Sequence, residues 1–265
     1  EKRWKLIMIN KRLLKNARLK HSQVNKNSLH NWSSNYALSI YPINSVYTFI
    51  PKNACSTLRF SIAIANGFIK DLKDIQWIHN NNSTFISTQR EVTRASFTFV
   101  VLRCPYTRIA SCFLDKIVDE VISFNDEMGK KVSLNFYEFL LHINSQQQSE
   151  REQHWRNQSD FLHYEKYDEY FSLELFSEAI ASLATHGLKV HDTRESIKHS
   201  ISNFKAVDGD FSKMKAEQIK KMKEEGSVPN YKSMFSKVEI DLVNEIYNDD
   251  MNLYKSHFGE SELLF

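Results

Sequence analysis

Residues 46–60 read VYTFIPKNACSTLRF, and this stretch gathers the residue types that hold an anion. An apolar run, Val46 to Ile50, stops at Pro51. Lys52 and Asn53 follow, then the small residues Ala54 and Cys55, two hydroxyls at Ser56 and Thr57, and a helical pattern. A strand feeding a short loop that opens a helix leaves the first backbone N–H groups of the helix without intrahelical partners, and the positive helix end points the same way. Lys52 adds a point charge, and Ser56 and Thr57 add hydroxyl donors. Residues 52–57 therefore read as a phosphate cradle. It is not the loop of an ordinary nucleoside-triphosphatase, because it contains no glycine.

A second cluster follows the next apolar run, where SFTFVVL (96–102) leads into RCPYTRIAS (103–111). Arg103 leaves the strand end, and Ser111 lies in the following helix, where it can face the same pocket. An arginine fork with a hydroxyl suits a second phosphate. One ligand with two separated phosphate groups accounts for both clusters. Arg108 reads equally as a support for the loop and as a ligand contact. Cys55 reads as a packed small residue, and Asp115 with Lys116 as an exposed helix pair.

The elements that must position these groups alternate between strand and helix. The expected strands are 46–50 and 96–102, with a short one at Phe161–Tyr164. Helices are expected from about Ser56 to Asn66, Tyr106 to Ser123, Leu134 to Ser145, Ser172 to His186, Lys213 to Glu225 and Val238 to Tyr254. Such alternation predicts an α/β fold whose central parallel sheet has about four to five strands flanked by helices, with ligands at the carboxyl ends of the strands. Residues 1–45 divide into a basic arm (1–27) and a polar, turn-rich lead-in. Residues 46–265 read as a single domain.

The 265 residues suffice for a sizeable core, and 12% aromatic content argues against disorder. The net charge of +3 hides an asymmetry: residues 1–27 carry nine Lys/Arg and one acid. That arm reads as a solvated surface segment. Nucleic-acid binding would rest on its charge alone, without aromatics interleaved beyond Trp4, and is not expected. The three cysteines, Cys55, Cys104 and Cys112, have neither zinc spacing nor a disulfide pattern, and read as reduced thiols. No integral membrane segment is expected in this chain. Scarce Gly and Pro with many Asn, Lys and Ile suggest an AT-rich genome and a bacterial cytoplasmic enzyme. A Golgi lumen would follow if an N-terminal anchor had been removed.

The ordered motifs resemble one family. Pro-Lys-x-x-Cys-Ser at 51–56, then Phe-Val-x-x-Arg-x-Pro-Tyr-x-Arg-x-x-Ser at 99–111, look like the carbohydrate sulfotransferases. EQHWRNQ (152–158) looks like that family's His-Trp segment, YEKYDEYF (164–171) like the tyrosine-rich stretch after it, and residues 230–254 like its closing helix. Cys104 stands where Asp is usual, Asn157 where Pro is usual and Phe235 where Tyr is common. The resemblance implies a P-loop-type three-layer fold. It also implies 3′-phosphoadenosine 5′-phosphosulfate (PAPS) as donor, 3′-phosphoadenosine 5′-phosphate (PAP) as product, no metal, and an oligo- or polysaccharide acceptor. Lys52 would stabilise the leaving oxygen. Residues 52–57 would hold the 5′-phosphate, and Arg103 with Ser111 the 3′-phosphate. His154 is the expected base, with His79 or a carboxylate such as Glu91 as alternatives. His79, Trp155 and Arg156 are the expected acceptor contacts. The rival readings are a nucleotide-dependent kinase with an atypical loop, and a non-catalytic glycan- or nucleotide-binding module on the same fold.

Overall fold

The structure is a computed structural model that describes residues 12–17, 23–193 and 204–265. Most of the basic arm, residues 1–11 and 18–22, lies outside the described residues. The part that is described is tied down. Arg12 pairs with Asp168 at 2.7 Å, and the Lys15 N–H donates to the His163 carbonyl at 2.9 Å.

The central sheet has four strands in spatial order β1 (Ala37–Ile40), β2 (Ser45–Thr48), β3 (Phe97–Leu102) and β4 (Glu169–Ser172). β3 is buried along its whole length, as the run FTFVVL demands of a strand covered on both faces. It pairs in parallel with β2, Ser45 opposite Phe97, and with β4, Leu102 opposite Ser172. β1 runs antiparallel to β2, Ala37 opposite Thr48. The fold is thus α/β as expected, but the sheet is mixed, with three parallel strands and one antiparallel edge.

That edge comes from the segment expected to be a turn-rich lead-in. Its outer side is covered in turn. The Ser39 N–H donates to the Phe85 carbonyl and the Ser87 N–H to the Ala37 carbonyl, both at 2.8 Å. The strand expected at Phe161–Tyr164 is absent. Gln158–Phe161 forms a 3-10 turn, and Tyr164 makes only an isolated bridge with Leu14.

Two helices flank the site. α1 (Cys55–Ala65) follows β2, and α2 (Pro105–Cys112) follows β3. α2 passes into a π-turn, Phe113–Ile117, rather than continuing to Ser123. The expected closing helix is two helices, Lys237–Ile246 and Asn248–Phe258, broken at Tyr247. The break serves the interior. The Tyr247 hydroxyl donates to the Trp155 carbonyl at 2.6 Å, and the buried Asp250 carboxylate accepts from the Gln158 and Ser159 N–H groups at 2.7 and 2.9 Å. Because β2, β3 and β4 are parallel, their carboxyl ends emerge on one side of the sheet. The loop at 51–54, Arg103 and Glu174 therefore meet there.

Candidate active site

A cavity of about 1110 Å³ opens at this side. The loop at 51–54, read from the sequence as a phosphate cradle, forms one wall. Lys52 and Ala54 both have positive φ, 74° and 54°, although neither is glycine. The left-handed region costs an ordinary residue roughly 1–2 kcal/mol, so the surrounding contacts must hold the loop in shape. Ala54 is also the N-cap of α1 and offers no side-chain acceptor. The N–H groups of the first turn therefore face the cavity uncapped by the chain, which suits an anion.

Lys52, Ala54, Cys55, Ser56 and Thr57 all line the cavity. The Thr57 hydroxyl is already hydrogen-bonded to that of Thr193 at 2.6 Å. Asn53 departs from expectation. It is fully buried behind the loop, where its amide donates to the Val101 carbonyl at 2.9 Å and to Gln158 Oε1 at 2.6 Å. It shapes the cradle from below.

Lys52 is aimed by a residue expected to lie on an exposed face. Its Nζ stands 2.8 Å from Asp115 Oδ2, and Asp115 itself lines the cavity from the π-turn. Lys116 reaches the same oxygen at 3.2 Å. Burial pushes the Asp115 carboxyl up. The charges and hydrogen bonds of Lys52 and Lys116 outweigh it and hold the group at about 2.

The second cluster lies beside the first. Arg103 donates from Nη1 to the Lys52 carbonyl at 3.0 Å, from Nε to Thr107 Oγ1 at 3.1 Å and from Nη2 to the Tyr231 hydroxyl at 3.1 Å. Arg103, Ser111 and Tyr231 line the cavity. The backbone N–H of Cys104, where the resemblance leads one to expect Asp, donates to the Glu174 carboxylate, which also accepts from Thr107. Glu174, at the end of β4, thus brings a carboxylate to this corner. Arg108 is buried and supports the loop. It donates to the Pro51 carbonyl at 3.2 Å and the Arg156 carbonyl at 2.8 Å.

Two histidines line the cavity. His154 Nδ1 lies 2.8 Å from Glu152 Oε1, and its backbone N–H donates to the same carboxylate at 2.7 Å. A carboxylate on Nδ1 places the proton there and leaves Nε2 as the acceptor. His79 sits on the short helix Trp77–Asn80. Burial lowers its proton affinity, and the charges of Arg59 and Lys116 lower it further. Arg59 lines the same cavity and donates to the Ile78 carbonyl and Asn82 Oδ1.

The structure places the remaining expected contacts elsewhere. Trp155 is buried, its ring edge-on to Phe139 at 5.4 Å and its N–H donating to Gln146 at 3.1 Å. Arg156 is buried against the Trp32 ring at 4.0 Å and pairs with Asp160 at 2.8 Å. Neither offers a face to the cavity. Glu91 closes a capping box with Thr88 on the helix Gln89–Arg94, away from the cavity lining. Conversely, Asp115, expected in an exposed helix pair, and Glu152, Gln158, Arg59 and Tyr231, to which no role was given, complete the site. Arg59 lay in the stretch 46–60, and Glu152, Gln158 and Tyr231 within the later motifs. No group of three or more His, Cys, Asp or Glu placed to hold a metal ion occurs among the described residues, and none of their helices is long and apolar enough to cross a membrane.

Comparison with curated proteins gives no match, and comparison with solved structures gives none. The family model described as "Sulfotransferase family" matches residues 43–257, which takes in the loop, Arg103, Ser111, His154 and the closing helices. The chain belongs to the sulfotransferase family.

Proposed function

We propose that this sulfotransferase takes its sulfuryl group from PAPS and passes it to a hydroxyl of an oligo- or polysaccharide. One observation carries the reading. A single cavity is lined by an uncapped helix start with Lys52 and Ser56, by Arg103 with Ser111, and by the Glu152-oriented His154. The first group suits a 5′-phosphosulfate, the second a 3′-phosphate, and the third an incoming hydroxyl.

Sulfuryl transfer is an in-line displacement at sulfur. The acceptor oxygen forms the new S–O bond while the bond to the 5′-phosphate oxygen breaks. Lys52 and the first-turn N–H groups of α1 face the charge that builds on that departing oxygen. His154 Nε2 takes the hydroxyl proton, and Glu152 stabilises the imidazolium that results. Arg103 and Ser111 grip the 3′-phosphate, the feature that separates this donor from ATP. His79 and Arg59, which also line the cavity, are assigned to the acceptor. Trp155 and Arg156 hold the His154 segment in place from behind.

Isothermal titration with PAP tests the donor assignment. Saturable binding in the micromolar range is expected, with ATP much weaker. No binding to the folded protein at about 1 mM PAP, a level that would leave under about 4 kcal/mol of affinity, overturns it. Labelled donor offered to uronic-acid and hexosamine polymers tests the acceptor class.

A further inference from the structure

The Lys52–Asp115 pair sits inside the cavity, not on the surface. Its ammonium is the group assigned to the leaving oxygen, and its carboxylate lines the same space. The π-turn at Phe113–Ile117 puts Asp115 there, since the extra residue in the turn re-aims the side chains that follow α2. An anion entering the cradle meets a lysine that already has a partner. Resting on the PAPS reading above, we propose that Asp115 is the positioning residue of Lys52 and works by counter-ion exchange. It holds the ammonium at the mouth of the cradle when the donor is away, and yields it to the phosphosulfate when the donor binds.

Both halves of the exchange follow from charge. Without Asp115, Lys52 would swing towards whatever anion lay nearest. Asp115 fixes it beside Arg103, whose Nη1 binds the Lys52 carbonyl. Once the phosphosulfate draws Lys52 off, Asp115 is left half-buried, with Lys116 as its remaining ion-pair partner among the described residues. Lys52 comes from the loop and Lys116 from the π-turn itself. Cys112 on α2 feels Lys52 and Arg108, and after them the carboxylates of Glu152 and Asp115. Losing Lys52 removes the main influence that keeps Asp115 ionised, so donor binding draws a proton onto Asp115 in mildly acid solution.

The test uses PAP as the probe, with wild type, Asp115→Asn and Asp115→Glu, each first checked for folding by its melting curve. Titration at about pH 5, in buffers of different ionisation enthalpy, counts protons exchanged on binding. The exchange predicts that Asp115→Asn binds PAP severalfold more tightly than wild type and takes up fewer protons, while Asp115→Glu keeps both wild-type values. The comparison between proteins cancels the protons of the ligand's own phosphates. Wild type that binds PAP, with Asp115→Asn binding no tighter, overturns the exchange and leaves the donor reading standing. Wild type that fails to bind PAP overturns the donor reading and the exchange with it. If Asp115→Asn does not fold, a crystal structure of wild type with PAP decides. Lys52 Nζ farther than about 4 Å from Asp115 supports the exchange, and an unbroken pair overturns it.

Discussion

Asn53 and Gln158, 105 residues apart in the chain, meet at 2.6 Å beneath the loop that follows β2. Gln158 is fully buried, and its Oε1 also accepts the Arg103 N–H at 3.0 Å while its Nε2 donates to the Arg103 carbonyl at 2.9 Å. One amide thus fixes the ends of β2 and β3 relative to each other. Replacing Gln158 with Leu strands buried donors and acceptors at both strand ends. We expect a loss of about 1–3 kcal/mol in denaturant unfolding, together with weaker PAP binding because both clusters shift. Unchanged PAP affinity in the folded variant would show that the clusters are set independently.

Lys52→Ala removes the charge that the proposed function assigns to the departing oxygen. Loss of one such donor commonly costs about 100- to 1000-fold in turnover, and acceptor binding should change little. Steady-state kinetics with labelled donor read this directly. A non-catalytic binding module would show no turnover in either protein.

His154→Ala should abolish most turnover and leave PAP affinity nearly intact, because the side-chain bonds of His154 among the described residues go to Glu152, not to the groups assigned to the phosphates. Glu152→Gln keeps the imidazole but weakens its orientation, and about a 10- to 100-fold drop is expected. Full turnover in His154→Ala would transfer the role to His79, the other histidine lining the cavity.

His163 is buried, with its Nδ1 3.0 Å from Ser33 Oγ, and burial lowers it from 6.5 to about 4. The unfolded chain therefore binds the extra proton first. The stability is fully present above about pH 6.5 and is lost as pH falls towards 4, a change of about 3 kcal/mol. Melting curves across this range should show the loss, and His163→Gln should flatten the slope in the same interval.

Ala54 holds a left-handed conformation that glycine adopts freely. Relief of about 1 kcal/mol is partly offset by the greater freedom of glycine in the unfolded chain. Ala54→Gly should therefore raise the melting temperature by about 1–3 °C. A fall would mean that the Ala54 methyl packs against something the loop needs.

Much of the site was legible because it is built from local patterns. The apolar runs that become β2 and β3 each end in a charge cluster, and parallel strands deliver such ends to one side. What pattern reading missed was long-range. ALSI at 37–40 is a four-residue edge strand among polar neighbours, too short to raise a periodic signal. Asp115 beside Lys116 looks like any helix pair until the π-turn carries it to Lys52. Trp155 is flanked by His154 and Arg156, which suggests an exposed platform. Its true surroundings, Phe139 and Gln146, come from another helix and its end. The apolar spacing of 238–254 runs unbroken through Tyr247. The break there is dictated by Asp250 and Tyr247 reaching into the His154 segment, which no local propensity records.

The segment Phe85–Ser87 is stitched to the outer edge of β1 by two main-chain hydrogen bonds. An edge strand covered in this way cannot recruit a strand from a second molecule, so the β1 edge is protected from edge-to-edge pairing. The same stitching has a mechanical result. Ile86 lines the cavity, and Asn82 and Ser83 just before it do so as well. The Ile86 end of this wall is tied to the sheet, and Asn82 and Ser83 reach it through the turn that precedes Phe85. The acceptor proposed above would therefore meet, on the Ile86 side of the cavity, a wall tied by its main chain to the sheet.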